Sequence, residues 1–568
     1  MDNLRLVLLF TLAAILLLLY QAWVQDYGPI GGQPQAARQE TNTQASMEKG
    51  AVSGVVPPTP DIPKVNVPAS TTLPTMAGST TATEKGGAAT GTIRVETDLI
   101  SLEIDRRGGA IVSARLLDYP QSPRDTETKF RLLKPEPPNY FVIESGLRGP
   151  ETGPLAADSR SLTFQSAQES FSLKPGQDEL EVVLFWSDPA GVEIHRRYRF
   201  TRGSYVIDLT QEIVNQTNAP LAARAYTQIL RTELNDPDAT RFVYTYTGGV
   251  YYTPEAKYKK VTFDNMRAEH LSLEATGGWV ALIQHYFIAA ALPSAGEPQT
   301  FFTSAREDGK YLIGTYTNPA TIEPGTTHQF NERIFMGPKL QDTLASVAPG
   351  LDLAVDYGHL TIIAQPIFWL LSKIHAVVGN WGWSIIFLTI LIKLAFYKLS
   401  ETSYKSMANM RKVTPRIQAL KDRYGDDKER LNQAMMEMYK KEKINPLGGC
   451  LPIVVQIPVF ISLYWVLLES VEMRQAPFML WINNLSAPDP YFVLPLIMGV
   501  SMYAQQKLNP APPDPIQAKV MMSLPFVFTI FFAFFPSGLV LYWVVNNLLS
   551  IAQQWYITNK IEKAAARH

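Results

Sequence analysis

Lys393 is the residue in this chain whose setting most demands a chemical reason. It follows Trp381 by twelve residues in an apolar run, roughly 18 Å along a helix. A lysine at the centre of a membrane helix costs about 2.5–3.5 kcal/mol on insertion scales. One account is snorkelling towards the polar side near Leu399. The neighbours favour another. Thr389, Lys393, Tyr397 and Ser400 fall at i, i+4, i+8 and i+11, one polar stripe that a lipid-facing helix has no use for. Gln456 sits between Val455 and Ile457, and Gln505 and Gln506 end another apolar run. Tyr542, Asn546, Ser550 and Gln553 repeat the i, i+4, i+8, i+11 spacing. Any one of these reads as interhelical hydrogen bonding. Several polar faces and one cation together predict a hydrated recess, the alternative being a dry bundle.

Catalytic patterns are weak. The chain has no G-x-x-x-x-G-K-[ST] string and so no visible phosphate loop. The runs at 381–399 and 450–559 contain no His, which argues against a serine–histidine protease within the membrane. His195 falls on the polar face of a strand, and His270, His285 and His328 have no metal-ligand spacing. Cys450 is the only cysteine, which excludes an internal disulfide and a Cys-rich zinc site. Leu447-Gly448-Gly449-Cys450 looks like a lipoprotein box, but that box ends an N-terminal signal and this one is mid-chain. With 51 basic and 52 acidic side chains, the chain is not a general nucleic-acid binder. No cofactor, metal site or catalytic set is expected, and no nucleic acid is read directly.

The elements that must position these residues come from two unlike halves, which a mean hydropathy of −0.03 averages away. Residues 1–27 hold an uncharged run at 6–24, expected as an uncleaved signal-anchor span; the alternative is a cleaved signal peptide, for which Tyr20-Gln21-Ala22-Trp23 is a poor cleavage site. Residues 28–93 have no aromatic side chain and read as a flexible linker. Residues 94–350 alternate with a period of two: Ile100, Leu102 and Ile104, then Val192, Ile194, Tyr198 and Phe200 opposite His195, Arg197 and Arg199. With no βαβ rhythm, the expectation is a large antiparallel sandwich.

Residues 351–380, with Gln365, Pro366, Lys373 and His375 in an apolar stretch, are expected as an interfacial amphipathic helix. Span 2 is 381–399, span 3 is 450–468 and span 4 is 490–507. Residues 520–559 form spans 5 and 6, broken at Pro536-Ser537-Gly538. The 400–449 connection carries eleven Lys or Arg, the 469–489 loop only Arg474, and the 560–568 tail has Lys560, Lys563 and Arg567. The positive-inside rule puts 400–449, the short 508–519 loop and both termini in the cytoplasm, and the β domain and 469–489 outside. Within 400–449, Met407, Met410, Val413, Ile417 and Leu420 share a face, Gly425-Asp426-Asp427 turns the chain, and Leu431, Met435, Met438 and Tyr439 continue on a second helix. This is a helical hairpin whose Met residues either meet varied apolar partners or only seal its two helices.

Asn445-Pro446-Leu447-Gly448-Gly449-Cys450, Gln456-Ile457-Pro458, Arg474-Gln475-Ala476-Pro477-Phe478 and Phe535-Pro536-Ser537-Gly538-Leu539-Val540-Leu541-Tyr542-Trp543 resemble the YidC/Oxa/Alb family of membrane protein insertases, from about 355 to 560. The anchor and β domain match its bacterial form. The resemblance implies a polytopic α-helical protein of the bacterial inner membrane, multi-pass, with six spans, a five-helix conserved core and a large all-β periplasmic sandwich domain. It implies a groove open to cytoplasm and lipid. Lys393 aligns with the family's functional cation, usually Arg, which keeps its charge where a buried Lys can lose it. Thr389, Gln456, Gln506, Tyr542, Trp543 and Asn546 fall at groove positions, and Met407, Met410, Met435 and Met438 on the hairpin that engages clients and partners. The implied partners are nascent membrane proteins, the Sec translocon, the ribosome or targeting factors, and the bilayer. The family's β domain is similar to sugar mutarotases, but no matching catalytic constellation is evident. A secondary transporter with Lys393 as counter-ion, a periplasmic receptor and a β-domain enzyme are the alternatives.

Overall fold

The computed structural model describes residues 91–123, 125–150, 155, 158–233, 245–425, 427–442, 451–509 and 515–565. The expected signal-anchor, most of the linker, the 445–450 string and the end of the tail lie outside them.

Two sheets, of eleven and nine strands, face each other between Thr92 and Pro338. Strand pairing is antiparallel except where Thr92–Glu96 meets Ser170–Ser172. The expected alternation holds: Ile100, Leu102 and Ile104 are buried, as are Val192, Ile194, Tyr198 and Phe200, while Arg197 and Arg199 face water. Each fully buried apolar side chain contributes about 1.5–3 kcal/mol. Arg196 departs from the pattern on its strand, as Gln211 and Glu332 do on theirs. Arg196 lies on the inner face at 0% exposure, where its Nε and Nη2 donate to Gln211 Oε1 at 3.0 and 2.9 Å. It also donates to the Gly108 and Ser145 carbonyls. The Thr227 hydroxyl donates to Glu332 and lies 2.7 Å from Ser145 Oγ. Burial pushes the Glu332 carboxyl up to about 7.

The second half is helical: α1 (Thr361–Val378), α2 (Trp381–Ala395), α3 (Tyr397–Tyr424), α4 (Lys428–Lys441), α5 (Leu451–Glu469), α6 (Val493–Leu508), α7 (Pro515–Phe532) and α8 (Ser537–Ala565). Gly379, at φ +71°, ends α1, and the Asn380 side chain caps α2 by accepting from Trp383 N. The expected single helix through Ser400 is corrected. The chain breaks at Phe396 and α3 leaves α2 at 66°, so Tyr397 and Ser400 do not continue the Thr389–Lys393 stripe. Gly425 turns α3 into α4, which Asp427 caps through Arg430 N at 3.1 Å. Val413, Ile417, Met435 and Tyr439 are buried in the seam between these two helices.

α8 packs on α2, α3, α5 and α6; α1 packs on α2 and α5; α7 packs on α6. Outer faces are apolar and exposed, as at Leu394, Leu496, Val500, Phe526, Ile530 and Leu548, which suits a lipid surround. Among the described residues, Gly358–Val378 is long and apolar enough to cross a membrane by length and composition, and Trp381–Ala395 with Tyr397–Met410 passes as a bent pair. The β domain meets the end of α5 directly. Lys339 Nζ and Glu469 Oε2 pair at 3.0 Å, both buried, and His285 Nε2 donates to the Leu468 carbonyl at 3.0 Å.

Candidate functional site

On α2, the Thr389 hydroxyl donates back to the Ile385 carbonyl at 2.6 Å, which satisfies it within its own helix. Lys393, one turn on, is 8% exposed. Its Nζ donates to Ser550 Oγ on α8 at 2.7 Å, and that hydroxyl donates to the Asn546 carbonyl at 2.7 Å. No carboxylate lies within ion-pairing distance of Lys393 among the described residues. An ammonium carries three donors. Here one is held by a neutral hydroxyl, in a setting where an unpaired charge is expensive.

The other named residues separate into three groups. Tyr542 is buried and stacks on Phe460 of α5 at 6.0 Å; Trp543 meets the same ring edge-on at 4.8 Å and lies 5.7 Å from Phe532 of α7. The Trp543 indole N–H is buried without an acceptor among the described residues. Gln456, Gln506 and Asn546 are half-buried, and only Asn546 joins the lysine, through its carbonyl. Met435 is 2% exposed in the hairpin seam, where Met410 and Met438 pack beside it, while Met407 is half-buried. Met436, the neighbour, is 41% exposed.

The polar contacts between α6 and α8 come from residues that the i, i+4 stripe does not include. Asn547 Nδ2 donates to Ser501 Oγ at 3.1 Å, and Gln554 Nε2 donates to the Leu508 carbonyl and Asn509 Oδ1, both at 3.2 Å. Asn547 and Gln554 stand seven apart, each one residue on from Asn546 and Gln553 of the first stripe, and share its Ser550 at i+3.

A family model described as YidC periplasmic domain matches residues 92–370, and one described as 60Kd inner membrane protein matches 373–564. The membrane protein insertase YidC of Methylococcus capsulatus is 50% identical over 568 residues, covering all of both chains. That of Thioalkalivibrio sulfidiphilus is 50% identical over 576 residues, again covering both completely. The chain belongs to the YidC family of membrane protein insertases. It is therefore an insertase of the bacterial inner membrane, not an enzyme, with the two-sheet β domain on the periplasmic side and the helices forming the membrane region. A solved structure titled as an active YidC insertase with its first transmembrane domain resolved is also similar. It is 18% identical with a TM-score of 0.37, over 81% of this chain and 91% of that one.

Proposed function

We propose that the insertase works through a groove lined by α2, α5, α6 and α8, in which Lys393 receives the polar tail of a client. The observation that carries this reading is the Lys393–Ser550 contact: a buried ammonium with one hydroxyl and, among the described residues, no carboxylate has donor capacity left for an incoming acidic group. Hydration and the cation lower the desolvation cost of the tail. The client's apolar helix passes Tyr542 and Trp543 into lipid, and its burial drives the step at about 25 cal/mol per Å². The membrane potential assists acidic tails by about 2.3 kcal/mol per charge per 100 mV. The client's own helical hydrogen bonds keep its backbone satisfied. Thr389, Gln456, Gln506 and Asn546 supply the polar wall.

The six-span layout, with α3–α4 in the cytoplasm, belongs to the same proposal. Its interfacial helix gains support from the two ends of α1. Tyr357, just before it, lies 3.3 Å from Ser470 Oγ, and Asn380, just after it, donates to the Pro477 and Phe478 carbonyls at 3.2 Å. Both ends meet the same 469–489 loop, as those of a helix lying flat would. The hairpin methionines would engage clients, the ribosome or targeting factors, and the Sec translocon would act beside the protein for some clients.

In vesicles without nucleotide, Lys393→Ala should reduce insertion of clients with charged tails and spare a client with an uncharged tail. Equal insertion of both by a folded variant would remove the cation from the mechanism.

A further inference from the structure

The groove leaves two motifs unused: Arg474-Gln475-Ala476-Pro477-Phe478 and Pro536-Ser537-Gly538. They meet in the 469–489 loop, which ties four helix ends together. Asn380 of the α2 cap donates to the Pro477 and Phe478 carbonyls, and a Cβ at Gly382 would strike the Phe478 ring. The first turn of α8 is held by Ser537 N to the Ala487 carbonyl at 2.8 Å and Gly538 N to the Leu485 carbonyl at 2.9 Å. The Ser537 hydroxyl adds a bond to the Asn484 carbonyl at 2.9 Å. Asp489 accepts from Leu494 N at 2.7 Å, capping α6, and from Trp481 Nε1 at 2.9 Å. The loop itself continues α5.

Arg474 joins this loop to the β domain. Its Nη2 donates to the Pro120 carbonyl at 2.9 Å and the Gln121 carbonyl at 3.3 Å. Its guanidinium lies 5.3 Å from the Phe130 ring and 5.4 Å from the Phe287 ring, which stack on each other at 4.1 Å. Gln475 Nε2 donates to the same Pro120 carbonyl at 3.2 Å from a backbone at φ +57°, a conformation a non-glycine holds only where its surroundings over-determine it.

We propose that Arg474 is a positioning residue: it pins the β domain to the 469–489 loop, so that the domain holds shut the outer end of the helix bundle. The periplasmic domain is then a brace on the insertase core. This rests on the groove reading only for the meaning of "shut"; the joint itself is independent of Lys393.

The test uses the full chain in nanodiscs, with Cys450→Ser and a reporter Leu539→Cys, a position 1% exposed in the first turn of α8. Arg474→Gln should raise labelling of that cysteine by an impermeant thiol reagent about tenfold, the scale of a lost charge-assisted hydrogen bond. It should also speed amide exchange at Ser537 and Gly538 while β-domain melting stays unchanged. Arg474→Lys keeps the charge between the rings, loses the fork, and should fall between. Phe130→Leu, a lesion on the β-domain side, should reproduce the effect should Arg474→Gln fold poorly. Unchanged labelling and exchange in the folded variants would overturn the proposal. Lys393→Ala should leave both readouts unchanged, so failure here is separable from failure of the groove reading.

Discussion

Buried polar side chains in this protein are held in two different ways, and the contrast predicts how each responds to change. Arg196, Gln211, Thr227 and Glu332 sit between the two sheets, joined by hydrogen bonds that leave Gln211 Nε2 and Glu332 Oε1 without a partner among the described residues. Glu332 prefers its neutral form there because burial disfavours the charge. Since its folded pKa of about 7 lies above the unfolded carboxylate value, the folded state binds the extra proton between those values. Its contribution to stability is therefore present at low pH and is lost as pH rises to about 7. Glu332→Gln should remove that slope. Thermal melts at pH 5 and 7.5 should show a smaller loss of Tm across the interval than in the parent, and an equal loss would refute the assignment. His285 acts in the opposite sense: burial lowers it to about 4, so the folded state resists its protonation and stability is lost as pH falls from the ordinary histidine range towards 4. At this scale the sequence was legible in part. Lys393 and Tyr542 announced themselves as polar or aromatic groups in apolar runs. Arg196 did not, because a charge on the inner face looks like an interruption of the alternation. Asn547 and Gln554 escaped because two stripes one residue apart both satisfy helical spacing, and only the neighbouring helix selects between them.

Among elements, the α3–α4 hairpin was readable because its apolar positions recur at three and four and Gly425 marks the turn. What its methionines face was not readable, since both a client surface and a seam need the same spacing. Met435 lies in the seam, and truncating a buried Met to Ala costs about 2–5 kcal/mol. Met435→Ala should accelerate amide exchange along both hairpin helices. Met436→Ala should leave exchange unchanged and, if clients touch the exposed face, lower their crosslinking to the hairpin. A reversed pattern would assign the client surface to the seam residues. The bend at Phe396 had no sequence signal. Neither Gly nor Pro lies nearby, and the polar stripe ran through it unbroken.

At the level of the molecule, the division into a β sandwich and a helical membrane region followed from a change of period and of hydropathy. The joint between them did not, because it pairs residues more than a hundred positions apart, such as Lys339 with Glu469 and Arg474 with Pro120. No local pattern encodes such pairs. The Lys339–Glu469 pair makes a direct prediction. Removing one member of a buried pair leaves the other charge unsatisfied, at about 3–5 kcal/mol, whereas removing both costs far less. Lys339→Met should lower Tm markedly, and adding Glu469→Gln should recover most of the loss. If the double variant is as unstable as the single, the pair is not coupled through its charge.

The loop that gathers the ends of α2, α5, α6 and α8 also dictates where the bundle can flex. Rods clamped at one end move as tongs do, with displacement growing along their length. At 1.5 Å per residue the 29 residues of α8 reach roughly 43 Å, so a tilt of about 5° at the clamp swings the far tip by about 4 Å and hardly disturbs the clamped end. Any widening must therefore appear first at the end farthest from the clamp.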